Sequence, residues 1–206
     1  MEIKPFVLGE FETNSYLIIQ KGQAILIDVG FEPKPIETYL NQYQIQLKGI
    51  LLTHAHLDHI GGLEYIRERF SVPVYVHHAE SEWLSNPRYN GSEIFPYFGQ
   101  VICKPADYLI KEEQLINIGP FQIQPIHTPG HTPGGTSYYL KPFLFSGDTL
   151  FYHSIGRTDL YGGNHTQLIE QIRNKLYFLP EDTKVYPGHG ESTTIGEEKQ
   201  NNPYVR

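Results

Sequence analysis

Residues 53–59 read Thr-His-Ala-His-Leu-Asp-His and begin where the apolar run 48–53 (KGILLT) ends. Four metal-ligating side chains, His54, His56, Asp58 and His59, thus fall within six positions. This spacing restricts the backbone. On a helix, residues two apart do not face each other. On an extended segment leaving a strand, positions i and i+2 project to the same side. His54 and His56 can therefore share one ion while Asp58 and His59 turn toward a neighbouring position. Imidazole and carboxylate suit zinc or a similar first-row metal. Gly61-Gly62 follows and permits a tight turn into a helix. The fold must therefore present a strand end, a loop and a helix start in immediate succession.

Three further candidates lie downstream, each just past a predicted strand and each preceded by glycine: His131 in Thr-Pro-Gly-His, Asp148 in Phe-Ser-Gly-Asp and His189 in Tyr-Pro-Gly-His. The seven residues sort into two sets. His54, His56 and His131 would hold one ion, and Asp58, His59 and His189 another. Asp148, with two oxygens and about four lone-pair sites, can serve both.

Around these motifs the chain reads as one α/β domain spanning residues 1–206. Strand-like runs recur at 5–8, 15–20, 24–29, 48–53, 72–77, 121–127, 136–140, 143–146 and 184–186. Helical patterns fall at 35–43, 62–70 and 165–179, each with an apolar face. Asn164 or Thr166 is the expected cap of the last, and Pro180 its end. Residues 85–111 hold Pro87, Gly91, Pro96, Gly99 and Pro105 and predict a long surface excursion. Such an excursion either borders a binding site or packs through Tyr89, Phe95, Tyr97 and Phe98 as structure. Only 17 residues follow His189, too few for another core.

Charge and composition narrow the function. A formal charge of 16 − 23 = −7 disfavours a general nucleic-acid partner. No apolar run approaches the roughly 20 residues of a membrane helix, and the acidic N-terminus does not read as a signal peptide. No membrane partner is expected. One cysteine, Cys103, excludes an internal disulfide framework and fits a reducing cytoplasm, where it reads as an apolar filler. Of the ten histidines, His77, His78, His127, His153 and His165 have no ligand-like context. Gly-x-Ser-x-Gly, His-Glu-x-x-His, Walker A and Gly-x-Gly-x-x-Gly patterns are absent.

His-x-His-x-Asp-His, then Gly-His, Gly-Asp and Gly-His in that order, resembles the motif set of the metallo-β-lactamase fold superfamily, over residues 54–189. Within it the chain resembles the glyoxalase II-like hydrolases, in particular the short bacterial type lacking a C-terminal helical domain. Segments 117–121, 146–151, 155–160 and 188–193, with a late Asn202-Pro203, carry that likeness. The resemblance implies a four-layer αββα sandwich of two mixed sheets with helices outside. It implies two divalent ions, zinc foremost with iron or manganese as alternatives, held by His54, His56, Asp58, His59, His131, Asp148 and His189.

The implied activity is hydrolysis of a thioester, S-lactoylglutathione or a related low-mass thiol ester, by a metal-bridging hydroxide. Two ions (+4), Asp58 and Asp148 (−2) and the hydroxide (−1) leave +1. That charge is cancelled as an oxyanion develops, so the transition state is favoured over the neutral ground state. Asp58 would also orient the attacking oxygen and pass a proton. Arg157 and Tyr161, in the glycine-bounded loop 152–163, would contact the substrate, a small molecule. The alternatives are a persulfide dioxygenase-like enzyme with one iron, a lactonase and a non-catalytic metal-binding protein. Phe151 stands where lactonases of this fold often place tyrosine. Asp148 stands where the best-known zinc β-lactamases use cysteine.

Overall fold

The computed structural model describes residues 1–205. Six strands form a first sheet in the order of the chain: β1 (Glu2–Leu8), β2 (Thr13–Gln20), β3 (Gln23–Ile27), β4 (Gln46–Leu51), β5 (Val74–His77) and β6 (Tyr108–Ile110). The first two pairings are antiparallel and β3 to β6 run parallel. Parallel neighbours require crossovers. Two of these contain α1 (Lys34–Gln42), and then α2 (Leu57–Ile60) with α3 (Leu63–Phe70).

The second sheet holds β7 (Ile116–Ile118), β8 (Phe121–His127), β9 (Thr136–Leu140) and β10 (Phe143–Gly147) as an antiparallel meander. A small hairpin, β11 (Leu150–Phe151) and β12 (Ser154–Ile155), and then α4 (His165–Asn174) lead to β13 (Lys184–Pro187), which pairs parallel with β10. Then β14 (Thr193–Thr194) closes the edge and α5 (Ile195–Asn201) follows.

Side-chain alternation explains the layering. Along a strand, successive side chains point to opposite faces, and here both faces of each sheet are apolar. Leu17, Leu26 and Ile50 pack with Ile36, Leu40, Leu63 and Ile66 of α1 and α3. Their neighbours Ile18, Ile25, Ile27 and Leu51 face the other way, against Phe121, Ile123, Tyr138 and Phe145 of the second sheet. Leu144 and Val185 then face outward against Leu168, Ile172 and Ile195 of α4 and α5. Three apolar layers separate four layers of secondary structure, the αββα sandwich. Each fully buried large aliphatic side chain contributes about 1.5–3 kcal/mol.

The differences from the sequence reading have local causes. The predicted strand 24–29 ends at Ile27, because Asp28 adopts φ +54°. The predicted helix 165–179 stops at Asn174, and a short 3₁₀ turn, Leu176–Phe178, follows Lys175 at φ −124°. Asn164 is the cap, its Oδ1 accepting from Gln167 N at 3.0 Å. The excursion 85–111 contains β6, which periodicity missed because three residues show no alternation. Asn90 pins the excursion: its amide donates to Trp83 O and Val101 O, and its own carbonyl accepts from Leu57 N. Among the described residues, no helix is long and apolar enough to cross a membrane.

Candidate metal centre

Strands β3, β4, β8, β10 and β13 release their carboxyl-terminal ends at one edge of the sandwich, the usual position for a site in a parallel sheet. Asp28 follows β3, residues 53–59 follow β4, His131 follows β8, Asp148 follows β10 and His189 follows β13. The ends are tied across the sheets. Thr136 N donates to Thr53 O at 2.8 Å, and Asn14 N donates to Gly188 O at 2.7 Å. Tyr138 Oη donates to Leu52 O at 2.8 Å.

All seven sequence-predicted ligands converge. His54, His56 and His131 form one triad, and Asp58, His59 and His189 another, with the ligand atoms of each within 4.8 Å of one another. In the first, His56 Nδ1 lies 2.9 Å and His54 Nε2 lies 3.3 Å from His131 Nε2. In the second, Asp58 Oδ2 lies 3.4 Å from His59 Nε2 and 3.1 Å from His189 Nε2. Asp148 stands between them. Its Oδ1 is 3.3 Å from His59 Nε2, and its Oδ2 is 3.6 Å from both His131 and His189 Nε2. Two backbone features permit this. Gly147 has φ +53°, a region glycine enters without strain. A Cβ at Gly188 would lie 2.1 Å from Asp148 Oδ1.

The outer nitrogens set the tautomers. His59 Nδ1 donates to Asp28 Oδ2 at 2.9 Å, His131 Nδ1 to Arg157 O at 2.7 Å and His189 Nδ1 to Phe11 O at 3.1 Å. Thr53 Oγ1 donates to Asp28 Oδ2 at 2.7 Å and so accepts from His54 Nδ1 at 3.1 Å. In all four rings Nδ1 is turned outward and Nε2 faces the cluster, and in His54 and His131 the Nε2 lone pair is free to point at it. Facing lone pairs repel unless a proton or cation lies between them. The buried Asp148 Oδ1 has no hydrogen-bond donor. Orphaned acceptors and converging lone pairs fit divalent cations.

The two triads differ electrically. Burial, reinforced by neighbouring histidines, pushes His54 well below its ordinary pKa, His56 to about 3, and His131 downward. Burial would lower His59 too, but Asp58, Asp148 and Asp28 overcome it and hold its pKa well above the usual value. His189 is raised, its own burial outweighed by Asp58 and Asp148. In turn, Asp58 and Asp148 are held low against burial, chiefly by His59.

Sequence reasoning missed the residues behind the ligands. Asp28 orients His59 and Thr53, the latter also through Thr53 N to Asp28 Oδ1 at 2.7 Å. Its signal was an acid ending a wholly apolar run, Ala24–Ile27. Thr13 Oγ1 donates to Asp58 Oδ2 at 3.0 Å, and Asn14 holds Pro187 O and Gly190 O on either side of His189. The five remaining histidines lie outside the triads. Cys103 is buried, its thiol pushed up to about 12 by that burial.

A cavity of about 680 Å³ opens over the centre. Asp58, His131, Asp148 and His189 line it, with Arg88, Tyr89 and Phe95 of the excursion, and Arg157 and Tyr161. Tyr161 stacks on Tyr89, centroids 4.8 Å apart. Arg157 also lines the cavity, and its guanidinium forms a two-pronged pair with Asp159 at 2.7 and 2.8 Å.

A family model described as "Metallo-beta-lactamase superfamily" matches residues 8–189. "Probable metallo-hydrolase YqgX" of Bacillus subtilis (strain 168) is 42% identical over 207 residues, covering 100% of this chain and 98% of that protein. "Hydroxyacylglutathione hydrolase GloC" of Haemophilus influenzae is 32% identical over 208 residues, covering 100% and 98%. Among solved structures, BLEG-1 B3 metallo-beta-lactamase superposes with a TM-score of 0.96 at 45% identity over 99% of both chains. TTHA1623, in a di-iron-bound form, gives 0.83 at 36% over 98% and 99%.

Proposed function

Because the chain belongs to the metallo-beta-lactamase superfamily, we propose that this metallo-hydrolase cleaves thioesters of the glyoxalase II type, using two divalent ions held by its two triads. One observation carries the reading: two ligand triads flank one carboxylate, Asp148, on the floor of a substrate-sized cavity. The whole-length likeness to a hydroxyacylglutathione hydrolase supports the substrate class. Zinc suits the nitrogen-rich ligand set, and the di-iron form of TTHA1623 makes iron the alternative.

When bound, the ions would supply Lewis acidity, lowering the pKa of water and offsetting charge that develops on a carbonyl oxygen. The chain's own residues do the rest. Asp58 lines the cavity and is fixed by Thr13. It would orient the attacking water and hold its proton, the catalytic role assigned here to this carboxylate. A thiol of pKa about 8.5 leaves as thiolate without a strong acid, which favours thioesters over amides. Arg157 and Tyr161 would meet the thiol-bearing portion, with Arg88 adding a second cation to the cavity wall. A guanidinium offers a planar fork for carboxylate, so Arg157 would exchange Asp159 for an anionic substrate group. The substrate is a small molecule, and no nucleic acid is involved. The buried, unpaired Cys103 supports a cytoplasmic location.

The likeness to BLEG-1 favours a second reading, β-lactam hydrolysis. Elemental analysis of natively purified protein, with turnover of S-lactoylglutathione, a β-lactam and an oxygen-uptake control, separates the readings. Two ions per chain and thioester turnover are expected. One ion with oxygen uptake, or β-lactam turnover alone, would overturn the proposal.

A further inference from the structure

Glu80 has no place in the chemistry above, yet it is fully buried. It ends the 3₁₀ turn His78–Glu80 that follows β5. Its Oε2 accepts from Ala55 N at 2.6 Å and its Oε1 accepts from Gly134 N at 2.8 Å. Ala55 is the residue between His54 and His56. Gly134 lies three residues beyond His131, on the loop leaving β8 in the other sheet. One carboxylate therefore bridges the main chains of both loops that supply the three-histidine triad. Burial pushes its pKa up to about 7 against those two donors, so an acid here costs stability that an apolar residue would not.

We infer that Glu80 is a positioning residue for metal binding by His54, His56 and His131, acting through the backbone of Ala55 and Gly134 and not on the Asp58–His59–His189 triad. The inference rests on the proposed metal reading. Residues behind the ligands that orient them typically change metal affinity by about 10–100-fold. Glu80→Gln keeps the shape but turns an amide N–H₂ toward a backbone N–H, so one strap is lost. Gly134→Ala approaches from the other side: a Cβ there lies 2.8 Å from Glu80 Cγ and 2.9 Å from Oε1, displacing the same carboxylate if Glu80→Gln does not fold.

Cobalt(II) titration with chelator competition provides the test. In the wild type two equivalents bind. In E80Q and G134A one equivalent is expected to weaken by about 10–100-fold while the other is retained. In a His56→Ala background, which lacks the first triad, adding E80Q should leave the remaining ion unaffected, because coupled residues lose additivity. Equal weakening of both equivalents, no weakening, or a further loss in the His56→Ala background would overturn the inference while leaving the metal reading intact. Wild-type protein that takes up no cobalt(II) would overturn both.

Discussion

His54, His56 and His131 pack against one another, with burial holding all three pKa values down. Asp58, His59 and His189 form an ionic cluster a few ångströms away, in which carboxylates hold the histidines up. The supports overlap. Main-chain carbonyls orient His131 and His189, the buried acid Asp28 orients His59 directly and His54 through Thr53, and the hydroxyl of Thr13 holds Asp58. An entering cation therefore meets less competition from protons at the first triad, where burial lowers the pKa values, than at the second, where carboxylates raise them. The comparison teaches that one fold edge can set two candidate ligand clusters side by side under opposite electrostatic influences, with Asp148 between them.

Removing the joint should have the largest effect. Asp148→Ala leaves two neighbouring cations without their shared anion, and their repulsion rises. Both ions and several orders of magnitude of turnover are expected to be lost, as read by elemental analysis and kcat. A variant keeping both ions would break the comparison at its centre. Asp28→Asn should act on both halves unequally. It removes the carboxylate that His59 Nδ1 meets directly and disturbs His54 only through Thr53, so in cobalt(II) competition the Asp58–His59–His189 ion is expected to lose about 10–100-fold in affinity and the three-histidine ion less. Glu80→Gln should show the opposite order.

Chelation should separate the halves in time. The His189 side chain is 30% exposed, while those of His59 and His131 are 0% and 6% exposed. Stopped-flow removal of cobalt(II) is expected to be biphasic, and His189→Ala should abolish the fast phase only. A single phase in the wild type would mean that the halves exchange as one unit. The smallest effect concerns the cavity wall. Arg157→Ala should raise KM for an anionic thioester while leaving metal content and melting temperature nearly unchanged, because its pair with Asp159 is a surface one. An equal change for an uncharged thioester would assign the loss to the His131 support, since Arg157 O orients that ring.

How much was legible depended on how local the cause was. The histidine motif and the three glycine-preceded ligands were visible because ligand chemistry needs specific residue types. Strands β2, β4, β8 and β9 were visible because runs of β-branched, aromatic and other apolar residues extend over five residues or more in each. By contrast, β6, β11, β12 and β14 run for two or three residues and exist only because a neighbouring strand offers hydrogen bonds. Asp28 and Glu80 look like ordinary acids in the chain. Their roles arise from partners 25 to 54 residues away.

The amino-acid order by itself determined the α/β alternation, the seven candidate ligands and their placement at strand ends, because each follows from side-chain type and short-range spacing. The tertiary structure decided which ligands meet, which ring nitrogen faces inward and which triad is neutral or charged. It also decided that part of the 85–111 excursion, from Arg88 to Phe95, walls the cavity. These properties depend on distances and burial between segments far apart in the chain, and no local pattern encodes the electric field that such packing creates.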